Sequence, residues 1–325
     1  MTRSLCLSLT LLLLAGAPDA SADPVRFEPD RLQQDGRVSL TPGFSPDGRT
    51  LYFAQSECAP IWKCPQRLKR SVLTDRGWSH PTLVSLPRGV GPEVPRVDYP
   101  SVTPDGTRLL FSWSGQLDTD AKTGDFENFD LFSLDLTNPD ALPRRLRGDD
   151  LNRVRAGRVA TLRFVNNETA PTLTEMGDLY FWSERLDGPG ERDVYVARSD
   201  GEGGFQKPEA LPAPINSARR DDGVWVHPSG RLLLLSYGSR GGQEGGADLF
   251  VSVLADGTWS DPVNLGAGIN SSAADFAATL HPDGEQIVFT STRPTERGER
   301  DLLQVWTAPV SDSPALLDAL ARIGD

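Results

Sequence analysis

Basic residues are scarce in this chain of 325 residues: 33 lysines and arginines stand against 45 aspartates and glutamates, a formal net charge of −12. A surface of that sign does not suit a phosphate backbone or an anionic bilayer, so nucleic acid and membrane surfaces are excluded as partners. No G-x-S-x-G elbow, H-E-x-x-H helix, P-loop or Rossmann fingerprint occurs, and no compact DxDxDG loop offers calcium its oxygens. No cofactor or metal is therefore expected. Beyond the N-terminus, no stretch has the roughly 20 apolar residues needed to cross a bilayer. Hydrophobic residues amount to 38%, while glycine (31) and proline (26) are abundant. That balance excludes coiled coils and long-helix bundles and favours short strands joined by many turns.

The first residues read as an address. A basic start at Arg3, an apolar run over 5–15 and the A-S-A site ending at Ala22 form a signal peptide of residues 1–22, too short to span a membrane. The expected product is soluble and periplasmic or secreted. Cys6 leaves with that peptide, so Cys58 and Cys64 remain as the only pair. Their spacing suits neither a redox CxxC nor a zinc knuckle, and in an oxidising compartment they are expected to form a disulfide.

Internal repetition then decides the fold. FSPDG (44–48) precedes LYF (51–53), VTPDG (102–106) precedes LLF (109–111), and a degenerate LTEMG (173–177) precedes LYF (179–181). VHPSG (226–230) and LHPDG (280–284) complete the series, so the units begin 53 to 71 residues apart. Proline early and glycine late in each phrase make a tight turn between strands. Second phrases, DLFS (130–133), DVYV (193–196) and DLFV (248–251), follow most units; hairpins at Asp75, Asp200 and Asp256 lead to an outgoing strand. About four strands per unit is the content of a propeller blade. The fold class is all-β: one β-propeller over 23–312, with five four-stranded blades visible and a sixth accommodated before Thr174, in 158–165. The last unit lacks its outgoing strand. Val25-Arg26-Phe27-Glu28-Pro29 has that character and is expected to close the ring, leaving a short helix within 313–325.

These phrases resemble the WD40-like repeats of the TolB-type propeller family of bacterial envelope proteins. The Ile215-Asn216-Ser217 and Ile269-Asn270-Ser271 linkers look closer still to propellers fused to peptidoglycan-associated proteins. The resemblance covers roughly 25–310. It implies a non-catalytic, monomeric interaction module whose partner is an envelope or peptidoglycan-associated protein.

Propeller topology places the linkers into the innermost strands on the same face as the loops between second and third strands; the proline turns lie on the other. On the first face Asp98, Glu168, Asp222 and Asp275 sit five or six positions before the repeat reference residue, and Arg185, Arg240 and Arg293 follow the second strands. They are the candidate partner-binding ring. The competing reading is structural, each arginine pairing with the aspartate that opens the third strand. His227 and His281, at equivalent turn positions, are read as structural. No catalytic residue is assigned, but a second function class stays open: a propeller glycoside hydrolase or lyase using two acids across this mouth.

Overall fold

The computed structural model describes residues 23–33, 37–58, 61, 64–87, 96–114, 129–152, 167–185, 187–238, 240, 242, 245–296, 298 and 302–324. Five small antiparallel sheets form a five-bladed β-propeller. The innermost strands are Val38–Phe44, Val97–Val102, Glu168–Leu173, Val224–Val226 and Asp275–Leu280, one for each of blades 1 to 5. The stretch 158–165, where a sixth blade had been accommodated, lies outside the described residues.

The second strand of each blade is apolar on both sides because a neighbouring blade covers each face. Leu51, Phe53, Leu109, Phe111, Leu179, Phe181, Ile287 and Phe289 are all essentially inaccessible. This explains why these strands read as continuous hydrophobic runs rather than as alternating ones. The turns before them follow the sequence closely. Gly48 takes a φ of 68° and donates its N–H to Ser45 O at 2.8 Å. Gly106, Gly230 and Gly284 repeat both features, a left-handed position that glycine occupies without strain.

In blades 2 to 5 the third strand is held by a side-chain amide acting as a stand-in for backbone. Asn216 Oδ1 accepts the Val194 N–H at 2.8 Å while its Nδ2 donates to Val194 O at 2.9 Å and Leu211 O at 2.7 Å. Asn270 treats Leu249 in the same way, and Asn152 treats Leu131. In blade 5 the partner comes from the opposite end of the chain: Gln33 Oε1 accepts Val305 N–H at 2.7 Å and its Nε2 donates to Val305 O at 2.8 Å. The Ile-Asn-Ser linkers therefore carry a folding role.

Closure is as the sequence implied. Val25–Arg26 pairs antiparallel with Gln304–Pro309, and Arg26 Nε meets Glu296 Oε2 at 2.7 Å. Phe27 packs edge-on against Phe44 and Trp78 of blade 1. Cys58 and Cys64 are disulfide-bonded in the blade 1 loop. The C-terminal helix Pro314–Gly324 buries Leu316 and Ala319 against blades 4 and 5, and Arg231 donates to the last-turn carbonyls of Arg322 and Ile323. Its Leu320 lines the turn-side end of the central channel, a cavity of about 330 Å³.

The amide stitch predicts that Asn270→Ala and Gln33→Ala each cost about 2 kcal/mol, because a buried N–H and C=O lose their partner together. Urea unfolding should show a lower midpoint with an unchanged slope; a loss below about 0.5 kcal/mol would mean that these amides are replaceable by solvent.

Candidate functional site

Each innermost strand turns sharply where it enters the channel. Thr41, Tyr99, Ala170, Gly223 and Ala277 occupy equivalent places and all have positive φ, between 48° and 74°. Strand register slips beside each of the four that lie within a strand, the mark of a bulge. The exposed bulge amide is latched to the preceding blade. Thr41 N–H donates to Thr290 Oγ1 at 2.8 Å, Ala170 N–H to Ser112 Oγ at 3.1 Å and Ala277 N–H to Ser236 Oγ at 3.2 Å. Two joints lack this second-strand hydroxyl, and at one of them the Tyr99 N–H donates instead to Thr41 Oγ1 of blade 1 at 3.2 Å. At the latch position blade 1 has Ala54 and blade 3 has Trp182.

The predicted ring of charges divides along this line. Glu168 and Asp275 are fully buried and pair with Arg185 at 3.3 Å and Arg293 at 2.8 Å. Arg185 lies over Phe181 and Tyr195, and Arg293 over Phe289 and Trp306. Both also donate to the linker carbonyls of Leu151 and Ile269. Arg240 holds Ile215 O and Pro214 O and lies over Tyr237. The same arginine-over-aromatic stack on a linker carbonyl thus recurs in three blades, with a buried acid paired to it in blades 3 and 5. The partner differs from the structural reading drawn from sequence: the arginines meet the start of the innermost strand, while Asp193 and Asp248 accept the N–H of Gly190 and Gly245.

Asp222 does not belong to that series. The blade 4 counterpart of Asp275 is Asp221: Ser217 N–H donates to Asp221 Oδ2 at 2.6 Å as Ser271 N–H does to Asp275 Oδ2 at 2.7 Å. Counting five or six positions back had merged two distinct places. Asp222 and Asp98 share the other one, where the remaining blades have Leu40, Thr169 and Phe276. Turn-forming roles for Asp200 and the histidines hold as read. Asp200 Oδ1 accepts two backbone N–H groups, His227 Nδ1 is 2.9 Å from Ser229 Oγ, and His281 packs edge-on against Phe44.

What converges at the unlatched joints is a cluster drawn from three consecutive blades. Asp98 Oδ1 accepts the Thr41 hydroxyl at 2.7 Å and the Tyr99 N–H at 3.0 Å. Its Oδ2 has no hydrogen bond among the described residues. Burial pushes Asp98 up to about 6, against the pull of Thr41 and Arg96. Half-buried Tyr99 projects toward blade 3, its ring 6.5 Å from Trp182 and nearly perpendicular. Burial and then the charges of Asp98 and Asp222 hold its hydroxyl well above the usual phenol range, so it remains a donor. Arg192 lies 4.8 Å over Trp182 and bridges Glu184 Oε1 at 2.7 Å and Asp222 Oδ1 at 2.6 Å. Asn167 Nδ2 donates to Glu184 Oε2 at 3.0 Å, and burial still raises Glu184 to about 7. Buried Thr169 Oγ1, across the ladder from Trp182, has no hydrogen-bond partner among the described residues.

Sequence reasoning found Asp98 and Asp222 but missed Tyr99, Trp182, Glu184 and Arg192. Their signal was departure from the repeat at aligned positions. No cluster of three or more potential metal-ligating side chains is present among the described residues.

No protein-family model matches the chain, and no curated protein matches it in sequence. Solved structures do match in shape. A glycoside hydrolase superposes with a TM-score of 0.55 at 10% identity, covering 85% of this chain and 88% of the other. Zg3597, a family 117 glycoside hydrolase of the marine bacterium Zobellia galactanivorans, gives 0.54 at 13% identity over 88% and 89%. A GH43_1 enzyme from Xanthomonas citri gives 0.50 at 10% identity over 84% and 88%. The likeness is one of fold. It corrects the expectation of a TolB-type, non-catalytic interaction module: these structural neighbours, matched over most of both chains, are glycoside hydrolases rather than TolB-type propellers.

The two kinds of acid predict opposite stabilities. Asp275→Asn strands the buried Arg293 and should cost roughly 3–5 kcal/mol. Asp98 has a folded-state value raised above its unfolded one, so its contribution is present at low pH and is lost as pH rises through about 6. Asp98→Asn should therefore melt at the same or a higher temperature at pH 7.5, with that gain vanishing by pH 4. Thermal melts at both pH values check this, and a marked loss at pH 7.5 would make Asp98 structural.

Proposed function

We propose that this protein is a carbohydrate-active enzyme that hydrolyses a glycosidic bond at the channel mouth, with Asp98 as proton donor and Asp222 as the carboxylate that attacks or activates water. The observation that carries this reading is the convergence of Asp98, Tyr99, Trp182, Glu184, Arg192 and Asp222, all departing from the internal repeat and all at the two joints without a latch. The fold shared with glycoside hydrolases supports it.

Glycoside hydrolysis requires one carboxyl group that keeps its proton and a second that does not. Asp98 suits the first task, since burial raises its proton affinity and Oδ2 is uncommitted. Asp222 suits the second, being partly exposed and held by the Arg192 cation. The Tyr99 ring offers a sugar an apolar surface, and its hydroxyl a hydrogen-bond donor. The same reading takes the chain as exported, with residues 1–22 removed, and acting as a monomer. No helix among the described residues is long and apolar enough to cross a membrane.

The mature chain should release reducing sugar from at least one member of a panel of chromogenic glycosides and cell-wall or plant polysaccharides. Asp98→Asn and Asp222→Asn should each lower kcat/KM by about 10²-fold or more without loss of fold. Activity should fall as pH rises past about 6, where Asp98 gives up its proton. Full activity in both variants would remove this site from the reaction.

A further inference from the structure

Arg192 is not needed by the scaffold in which it sits. Blades 3 and 4 make the same backbone contact to the next blade, the parallel bridges Arg192↔Arg220 and Ala247↔Ala274. Asp221 N–H donates to Arg192 O at 2.9 Å, and Asp275 N–H donates to Ala247 O at 2.8 Å. Alanine is thus sufficient at this position for folding, yet blade 3 carries a guanidinium there. That group is inserted into a continuous chain of polar contacts. Phe129 N–H donates to Asn167 Oδ1 at 2.8 Å, Asn167 Nδ2 donates to Glu184 Oε2, and Glu184 Oε1 receives Arg192 Nε. Arg192 Nη1 then reaches Asp222 Oδ1. The Trp182 ring lies beneath the guanidinium and restricts its plane.

Burial opposes the charge on Arg192, but Asp222 and Glu184 outweigh it and hold the cation above its ordinary value. Glu184 is committed on both oxygens, so it serves the arginine rather than a ligand. Asp222 is engaged mainly through Oδ1; its Oδ2 lies 3.8 Å from Arg220 Nε.

We propose that Arg192 is the positioning residue of the mouth: fixed from behind by Glu184 and from below by Trp182, it holds the Asp222 carboxylate by one oxygen and leaves the other turned toward the bond to be broken. This rests on the proposed hydrolysis, for which Asp222 is the carboxylate. A planar fork that serves two carboxylates at once cannot be reproduced by the point charge of lysine. Lysine retains the charge near Asp222 but not the orientation.

The test is a double-mutant cycle on the mature chain. Arg192→Gln should lower kcat about 10²-fold with KM changed less than about 3-fold, and Arg192→Lys should recover only part of the loss. On an Asp222→Asn background, Arg192→Gln should have almost no further effect on kcat, because its action passes through Asp222. Independent, multiplying losses would overturn the proposal, as would full activity in Arg192→Gln. If the wild-type chain hydrolyses nothing on the panel, the proposed activity fails by itself. The clamp is then judged by melting temperature: non-additive shifts of Arg192→Gln and Asp222→Asn uphold it, and additive shifts overturn it.

Discussion

Five strands cannot meet around a narrow channel without one residue in each leaving the extended conformation. Here that residue is left-handed in every blade, and the amide it exposes needs a partner. In three joints the partner is a hydroxyl on the second strand of the preceding blade, which also locks the two sheets together. Blade orientation, the width of the mouth and the direction of the neighbouring side chains follow from this constraint. Where the latch residue is replaced, the local rule is broken and the space above the bulge becomes available. Tyr99 and Trp182 occupy it, and the acids of the mouth gather beside them.

An internal repeat separates structural charge from working charge without any alignment of relatives. Glu168 and Asp275 look as conspicuous in sequence as Asp98. Each sits under an arginine that is itself stacked on two aromatic rings and bonded to a linker carbonyl. Such a pair is expensive to break, because losing one partner leaves the other charge buried and uncompensated. Asp98 instead is held by a hydroxyl and one amide, so its burial is only partly offset and its proton is retained to about pH 6. The difference lies in which side of the strand the residue faces, and adjacent residues face opposite sides.

That period-two geometry explains what was legible and what was not. The turns, the second-strand runs and the missing outer strand at Val25–Arg26 were readable because each is a local pattern with a local cause. Asp221 and Asp222 were not separable: a one-residue error moves a side chain from the blade interior to the mouth, and two acids in succession hide the error. Trp182 was concealed in a strand phrase that reads as core, and Glu184 and Arg192 in a loop whose pairing depends on the fold of blade 4. The family resemblance carried the propeller fold but not the TolB-type role, for a related reason. Turn phrases report how a blade is built, and they are shared by propellers that do quite different things.

The placement of the mouth over the two unlatched joints has an energetic logic. The joint at Gly223, without its hydroxyl bond, gives up about 1 kcal/mol of net stabilisation, and a buried, ionised Asp98 at neutral pH gives up more, on the order of 2–3 kcal/mol. A marginally stable chain tolerates such losses only where the surrounding structure compensates. Here the compensation is visible in the amide stitches on the third strands, the three remaining latches and the helix packed beneath blades 4 and 5. The stitches and the helix lie outside the mouth and do not depend on its side chains. The scaffold can therefore hold an uncommitted carboxyl group in a poorly solvated place, and that condition distinguishes an acid able to give a proton from one that merely fills a structural position.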